Sequence, residues 1–113
     1  MKVIIAGGRD YHEYDTLLEA IKESGFDITT VISGGAKGVD ALGEQYAEGM
    51  NIPLNVYHAD WERNGRAAGP IRNRKMAENG EALIAIWNGE SRGTKNMIET
   101  ATKLGLLVYV KRV

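Results

Sequence analysis

Four short runs of this 113-residue chain hold most of the residues that could do chemistry. The first is Gly7-Gly8-Arg9-Asp10, and the second is Ser33-Gly34-Gly35-Ala36-Lys37-Gly38-Val39-Asp40. The third runs from His58 to Gly69 and carries Asp60, Trp61, Arg63 and Arg66. The fourth is Asn88-Gly89-Glu90-Ser91-Arg92-Gly93-Thr94-Lys95. Nine of the 14 glycines, at 7, 8, 34, 35, 38, 65, 69, 89 and 93, fall in these runs. Glycine lets a backbone approach a ligand closely. The unpaired N–H groups at a helix start then face an anion, helped by the helix dipole. Lysine or arginine supplies the counter-charge. Nine of the 14 Lys and Arg residues lie in or beside the same runs: Arg9, Lys37, Arg63, Arg66, Arg72, Arg74, Lys75, Arg92 and Lys95. Acidic residues such as Glu13, Glu19, Glu23, Glu44 and Glu48 are spread over other segments. A chain of net charge −1 can thus present one positive edge. Within the basic group, Arg72 alone reads as part of a solvated helix face. At least one of Arg74 and Lys75 is expected to face the site.

Several other chemistries are excluded. Cysteine is absent, which removes disulfides and thiol catalysis. With only His12 and His58, no metal site is expected. Lys37-Gly38 lacks the Gly-Lys-Ser/Thr order of a P-loop, and the first run lacks Gly-x-Gly-x-x-Gly. A P-loop ATPase and a generic NAD dehydrogenase are therefore disfavoured, and no bound cofactor is expected. No Ser-His-Asp arrangement stands out, and each histidine reads as structural. No apolar run approaches the ~20 residues of a membrane span. Met1–Gly7 is too short in apolar length for a secretory signal and reads as a first strand, so a cytoplasmic location is expected.

The elements that must position these runs follow from patterning. Val3–Ala6, Ile28–Ile32, Leu54–Tyr57, Ala82–Trp87 and Leu106–Val110 read as strands. Most are continuously apolar, as strands buried on both faces of a parallel sheet are. Between them, Tyr14, Leu17, Leu18 and Ile21 repeat at helical spacing, as do Val39, Leu42, Gly43, Tyr46 and Ala47, and then Met97, Ile98, Ala101 and Leu104. A fourth helix, about Pro70–Asn79, is weakly amphipathic and basic. Asp10 and Glu13 suit a capping box, Pro70 a first helical position, and Thr94 an N-cap. Gly25, Gly49, Gly80 and Gly105 suit left-handed positions just past helices. Strands and helices alternate throughout. The prediction is one domain over residues 1–113: a Rossmann-like three-layer α/β fold with a five-stranded, mainly parallel sheet and about four flanking helices. All four polar runs then open on the C-terminal edge of the sheet, where such folds bind ligands.

The run Ile32–Asp40 resembles the Ser-Gly-x-Ala-x-Gly-[Val/Ile]-Asp motif of the SMF/DprA–LOG superfamily, called SLOG. Gly7-Gly8-Arg9-Asp10-Tyr11 and Asn88–Thr94 are similar to one branch, the YspA or cpYpsA-related SLOG family of small bacterial and phage proteins. The likeness spans essentially the whole chain. It implies a Rossmann-like fold that binds a nucleotide or nucleotide-derived ligand, including NAD-derived ones. The implied binding residues are Gly7, Gly8, Arg9, Asp10, Ser33, Gly34, Gly35, Ala36, Lys37, Gly38, Asp40, Arg74, Asn88, Gly89, Ser91, Arg92, Gly93 and Thr94. Relatives often self-associate through helices flanking the site, so a homodimer or larger assembly is implied.

A better-known group, LOG, hydrolyses the N-glycosidic bond of nucleoside 5′-monophosphates. Its Glu-Arg-Lys segment resembles Asn73-Arg74-Lys75, and its Pro-Gly-Gly-x-Gly-Thr-x-x-Glu motif is similar to Trp87-Asn88-Gly89 followed by Gly93-Thr94. The glycine spacing is longer here, and the catalytic Glu position holds Met97. Glu99, two residues on, falls about 200° around the helix. A glycosidase needs a carboxylate near the ribose. Asp40, Asp10 and Asp60 are the substitutes on the expected edge.

Three functions compete at this level. The first expectation is a sensor or sequestering protein for a nucleotide-derived ligand, with Trp61 or Tyr11 stacking on a base. The second is a nucleoside-phosphate N-glycosidase, with Arg74, Asp40 and Asp60 as candidate catalytic residues. The third, single-stranded DNA binding, is disfavoured by the near-neutral charge.

Overall fold

The computed structural model describes residues 1–113 as alternating strands and helices around one sheet. The strands are β1 (Lys2–Gly7), β2 (Thr30–Ser33), β3 (Leu54–Val56), β4 (Ala82–Trp87) and β5 (Leu107–Arg112). The helices are α1 (Tyr14–Ser24), α2 (Val39–Gly49), α3 (Trp61–Asn64), α4 (Ala68–Asn79) and α5 (Arg92–Lys103), with a 3₁₀ turn at Gly65–Ala67. The strand order is β3-β2-β1-β4-β5, and every pairing is parallel. The chain builds outward from β1 to β3, then crosses back to lay β4 on the free side of β1. The strand order reverses between β1 and β4.

Alternate strand residues feed two layers, as the period of two demands. Ile4, Ala6, Ile32, Leu83 and Ala85 pack against Met76, Ala77, Met97 and Ala101 of α4 and α5. Ile5, Val31 and Ile86 pack against Leu17 of α1 and Val39, Leu42 and Ala47 of α2. Val3 and Ile84 close the same face with Ala20. β1 and β4 are thereby buried on both sides, which is why they read as unbroken apolar runs. β3 is an exposed edge strand throughout.

Element boundaries correct the sequence reading in places. The stretch before α4, expected to be loop, contains α3 and the 3₁₀ turn. α1 starts at Tyr14, so Glu13 is its N-cap and makes no side-chain cap; the Asp10–Glu13 capping box does not form. α4 begins at Ala68, which puts Pro70 third in the helix. Proline is tolerated there because first-turn N–H groups have no intrahelical acceptor. The cap of α5 is Ser91, whose Oγ accepts the Thr94 N–H at 3.4 Å. Gly25 and Gly105 are left-handed as expected, but Gly49 is the last residue of α2, Gly80 is extended, and Asn51 takes the left-handed position (φ 56°).

Candidate functional site

The connections after β1, β2, β3 and β4 all leave the C-terminal edge of the sheet, so the four polar runs meet there. Between them lies a cleft of about 760 Å³, within the range of small-molecule sites. It sits over the switch point between β1 and β4. One wall is the turn after β1, Gly7 to Tyr11. The opposite wall is the turn after β4 and the start of α5: Asn88, Glu90, Ser91, Arg92, Gly93 and Thr94. α4 contributes Gly69, Pro70, Arg72, Asn73 and Met76, and α5 adds Asn96 and Met97. Ala36, Asp40, Trp61 and Arg66 also line it, and Ala6, Ile86 and Val113 complete the lining. A smaller adjoining hollow of about 480 Å³ lies between the loops after β2 and β3, with Gly34, Gly35, Lys37, His58 and Ala59 on its walls.

Two turns offer backbone donors. The N–H groups of Gly8 and Arg9, and those of Arg92 and Gly93 in the first turn of α5, donate to no backbone acceptor. Gly8 and Gly93 also have nothing within 4 Å of where a Cβ would stand, and neither has a positive φ. Neither conformation nor close neighbours require glycine at these two positions. Asn88 shapes the second turn, its Oδ1 accepting the N–H groups of Glu90 and Ser91 at 2.8 and 2.9 Å.

The loop after β2 is more self-contained than a phosphate cradle would be. The Gly35 N–H donates to Ser33 Oγ at 3.1 Å, and the Ala36 N–H to Asp40 Oδ2 at 3.2 Å. The Val39 N–H at the start of α2 donates to the Gly8 carbonyl at 3.1 Å. Gly38 lets these two loops meet: its φ is +73°, and a Cβ there would run into Gly8 O and Arg9. Ser33 is fully buried and donates to Glu44 Oε2 at 2.7 Å.

Four arginines, Arg9, Arg66, Arg72 and Arg92, line the cleft together with three carboxyl side chains, Asp10, Asp40 and Glu90. Arg9 lies over the Trp61 ring, 5.6 Å from its centroid, and Trp61 is 49% exposed. Arg72 reaches under the loop after β2, where Nη1 donates to the Gly34 carbonyl at 2.5 Å. Its Nε donates to Asn73 Oδ1 at 3.0 Å, and Asn73 Nδ2 continues to Asn96 Oδ1 at 2.9 Å. A chain of bonds thus crosses from α5 through α4 to the loop after β2. Burial pulls the Arg72 pKa below its ordinary value, opposed by Asp40 and reinforced by Arg9; it remains cationic. Asp40 is 6% exposed, and burial pushes its carboxyl up to about 6. The Ala36 N–H, Arg72 and Arg9 oppose that rise, and Glu44 adds to it.

Of the expected site residues, the cleft collects Gly7, Gly8, Arg9, Asp10, Ala36, Asp40, Asn88, Ser91, Arg92, Gly93 and Thr94. Gly34, Gly35 and Lys37 line the smaller hollow. Ser33, Gly38 and Gly89 line neither. Asp60 caps α3, its Oδ1 accepting the Arg63 N–H at 3.1 Å. Arg74 also lines neither hollow; it pairs with Glu78 at 3.4 Å on the exposed face of α4. The positions of Arg72 and Arg74 are thus the reverse of the sequence expectation. Arg72 and Asn73 carry only a weak signal in the sequence, their spacing from Gly69 and Met76. They fall three and four residues after Gly69 and before Met76, on the stripe of α4 that turns inward. Met97, at the position where LOG proteins carry their catalytic glutamate, lines the cleft as a buried thioether. Tyr11 and Trp61, the two candidate stacking residues, both line it.

No helix is long and apolar enough to cross a membrane. The model of the YspA, cpYpsA-related SLOG family matches residues 1–64, the span that carries the turns after β1 and β2 and reaches Trp61. A relative, "Gene 61 protein" of Mycobacterium phage D29, is 32% identical over 117 residues, covering 95% of this chain and 93% of that protein.

Proposed function

The chain belongs to the YspA, cpYpsA-related SLOG family, and on that premise we propose that it binds a nucleotide or nucleotide-derived ligand in the cleft over β1 and β4, as a sensor or sequestering protein. One observation carries the reading. Gly8 and Gly93, in the turns after β1 and β4, both line the cleft, with N–H groups that have no backbone acceptor and open space where a side chain would be. Such turns accept phosphate oxygens, and arginines on the same walls balance the charge. Trp61 and Tyr11 offer faces for a base. A thermal-shift screen of nucleotides, with chromatography for products, tests this. The expected result is a ligand-dependent rise in melting temperature without turnover. No shift with any nucleotide would reject it.

One feature favours a second reading, hydrolysis of a nucleoside-phosphate N-glycosidic bond. Asp40 lines the cleft with its pKa pushed up to about 6, near the operating pH that suits a general acid or base. It ranks second because Met97 fills the position of the LOG carboxylate and Arg74 lies outside the cleft.

A further inference from the structure

The bonds that run from the loop after β2 through α4 to α5 have a fixed direction. Arg72 Nε can only donate, and it donates to Asn73 Oδ1 at 3.0 Å. The Gly93 carbonyl can only accept, and it takes Asn73 Nδ2 at 3.3 Å. The buried Asn73 amide is thus anchored at both ends and has one orientation. The same Nδ2 donates to Asn96 Oδ1 at 2.9 Å. With the Asn96 amide turned over, two NH2 groups would meet and neither would find an acceptor. Asn96 is therefore held with its oxygen toward α4. Its own Nδ2 has no acceptor in the chain, although Asn96 lines the cleft together with Asp10, Asp40 and Glu90.

Gly93 and Asn96 accept from one nitrogen, so they stand side by side, one turn apart on α5. The Gly93 N–H, the Arg92 guanidinium and the Asn96 NH2 group are all donors. Ionised phosphate oxygens only accept. Glu90, the carboxylate of this wall, is exposed and hydrated.

Deepening the nucleotide reading and resting on it, we infer that Asn96 donates to the ligand's phosphate beside Gly93, and that Asn73 is the positioning residue that keeps this amide turned donor-first to the cleft. Arg72 sets the polarity of the pair from the far side of α4.

Isothermal titration of the full chain at about pH 7.5 with AMP and GMP, and with adenosine and guanosine, tests the inference; the phosphate is then mostly doubly ionised. Asn96→Ala should weaken nucleotide binding by about tenfold and leave nucleoside binding unchanged. Asn73→Leu, close in size but unable to donate, should weaken nucleotide binding in the parent protein and cause no further loss in the Asn96→Ala protein, as coupled neighbours do. Asn73→Ala gives the same comparison if the leucine variant does not fold. Additive losses would overturn the positioning role of Asn73. Unchanged nucleotide affinity in Asn96→Ala, or an equal loss for nucleotide and nucleoside, would overturn the phosphate contact and leave the nucleotide reading standing. No binding of any compound by the parent protein would overturn both.

Discussion

Arg72 Nη1 donates to the Gly34 carbonyl at 2.5 Å, across 38 residues of sequence. This charge-assisted bond ties α4 to the loop after β2, and both residues line the smaller hollow. A Cβ on Gly34 would stand 2.6 Å from the same nitrogen and 2.8 Å from Asp40 Oδ2. Glycine at 34 is therefore needed for Arg72 and Asp40 to close over the loop. Only two of the five guanidinium donors are used within the chain. The rest are available to an anion.

Arg72→Ala should weaken nucleotide binding by about one to two orders of magnitude, since a hydrogen bond to a charged group contributes roughly 1.5–3 kcal/mol. It should also lower the melting temperature, because the Gly34 carbonyl loses its donor. Arg74→Ala should do neither. Its pair with Glu78 is exposed and one helical turn apart, a kind worth about 0.3–0.5 kcal/mol. Titration and thermal melts of the two variants side by side check the contrast. Equal losses of affinity would mean that α4 presents its other face to the ligand.

Gly8→Ala and Gly93→Ala isolate the anion contacts from folding. Each added methyl meets nothing within 4 Å and no positive φ opposes it, so melting temperatures should change little. A ligand atom held by the Gly8 or Gly93 N–H would be pushed outward, and affinity should fall by about tenfold per site. Calorimetry against the best nucleotide from the screen measures this. Full affinity in both folded variants would take these turns out of the site.

The fold was legible because its strong signals agree. β1 and β4 are apolar at every position that both layers bury, and glycine marks the turns that leave them. The edge that gathers the four polar runs followed from the parallel order alone. α4 was less legible because its inward stripe is Ala68, Gly69, Asn73, Met76 and Ala77, all but Met76 small or polar. Without an apolar stripe the phase of the helix is lost, and Arg72 and Arg74, about 200° apart, exchange places. α3 has four residues, too few turns to show any periodicity. Glycine counting also mixes two causes. Gly35 has φ +71°, and a Cβ there would stand 2.6 Å from His58, so this residue is demanded by the chain itself. Gly8 is not. Only coordinates separate the two.

Purified protein should release little or no free base from AMP. Holding substrate and transition state equally does not accelerate chemistry. Met97 lines the cleft where LOG proteins place a carboxylate, and it can neither share charge nor move a proton. General acid–base help is typically worth 10²–10⁴-fold. Chromatography of long incubations checks this. Robust base release that disappears in Asp40→Asn would make the hydrolase reading primary.

Asp40 should also imprint the pH dependence of stability. Its carboxyl ionises near 3.8 ordinarily and at about 6 in the folded protein. Between these values the native state holds a proton that the unfolded chain has released. Where the native state binds more protons, stability falls as pH rises. The contribution is thus complete below about pH 4 and lost above about pH 6. The whole shift of roughly two units corresponds to about 3 kcal/mol. An asparagine at 40 can still accept the Ala36 N–H but carries no charge to desolvate. Asp40→Asn should therefore gain stability relative to the parent protein as pH rises, by about 1–2 kcal/mol between pH 5 and pH 7.5. Urea unfolding of both proteins at the two pH values measures the difference. Parallel pH profiles would show that the Asp40 carboxyl titrates as an ordinary, solvated acid, and would remove it as a candidate proton carrier in the cleft.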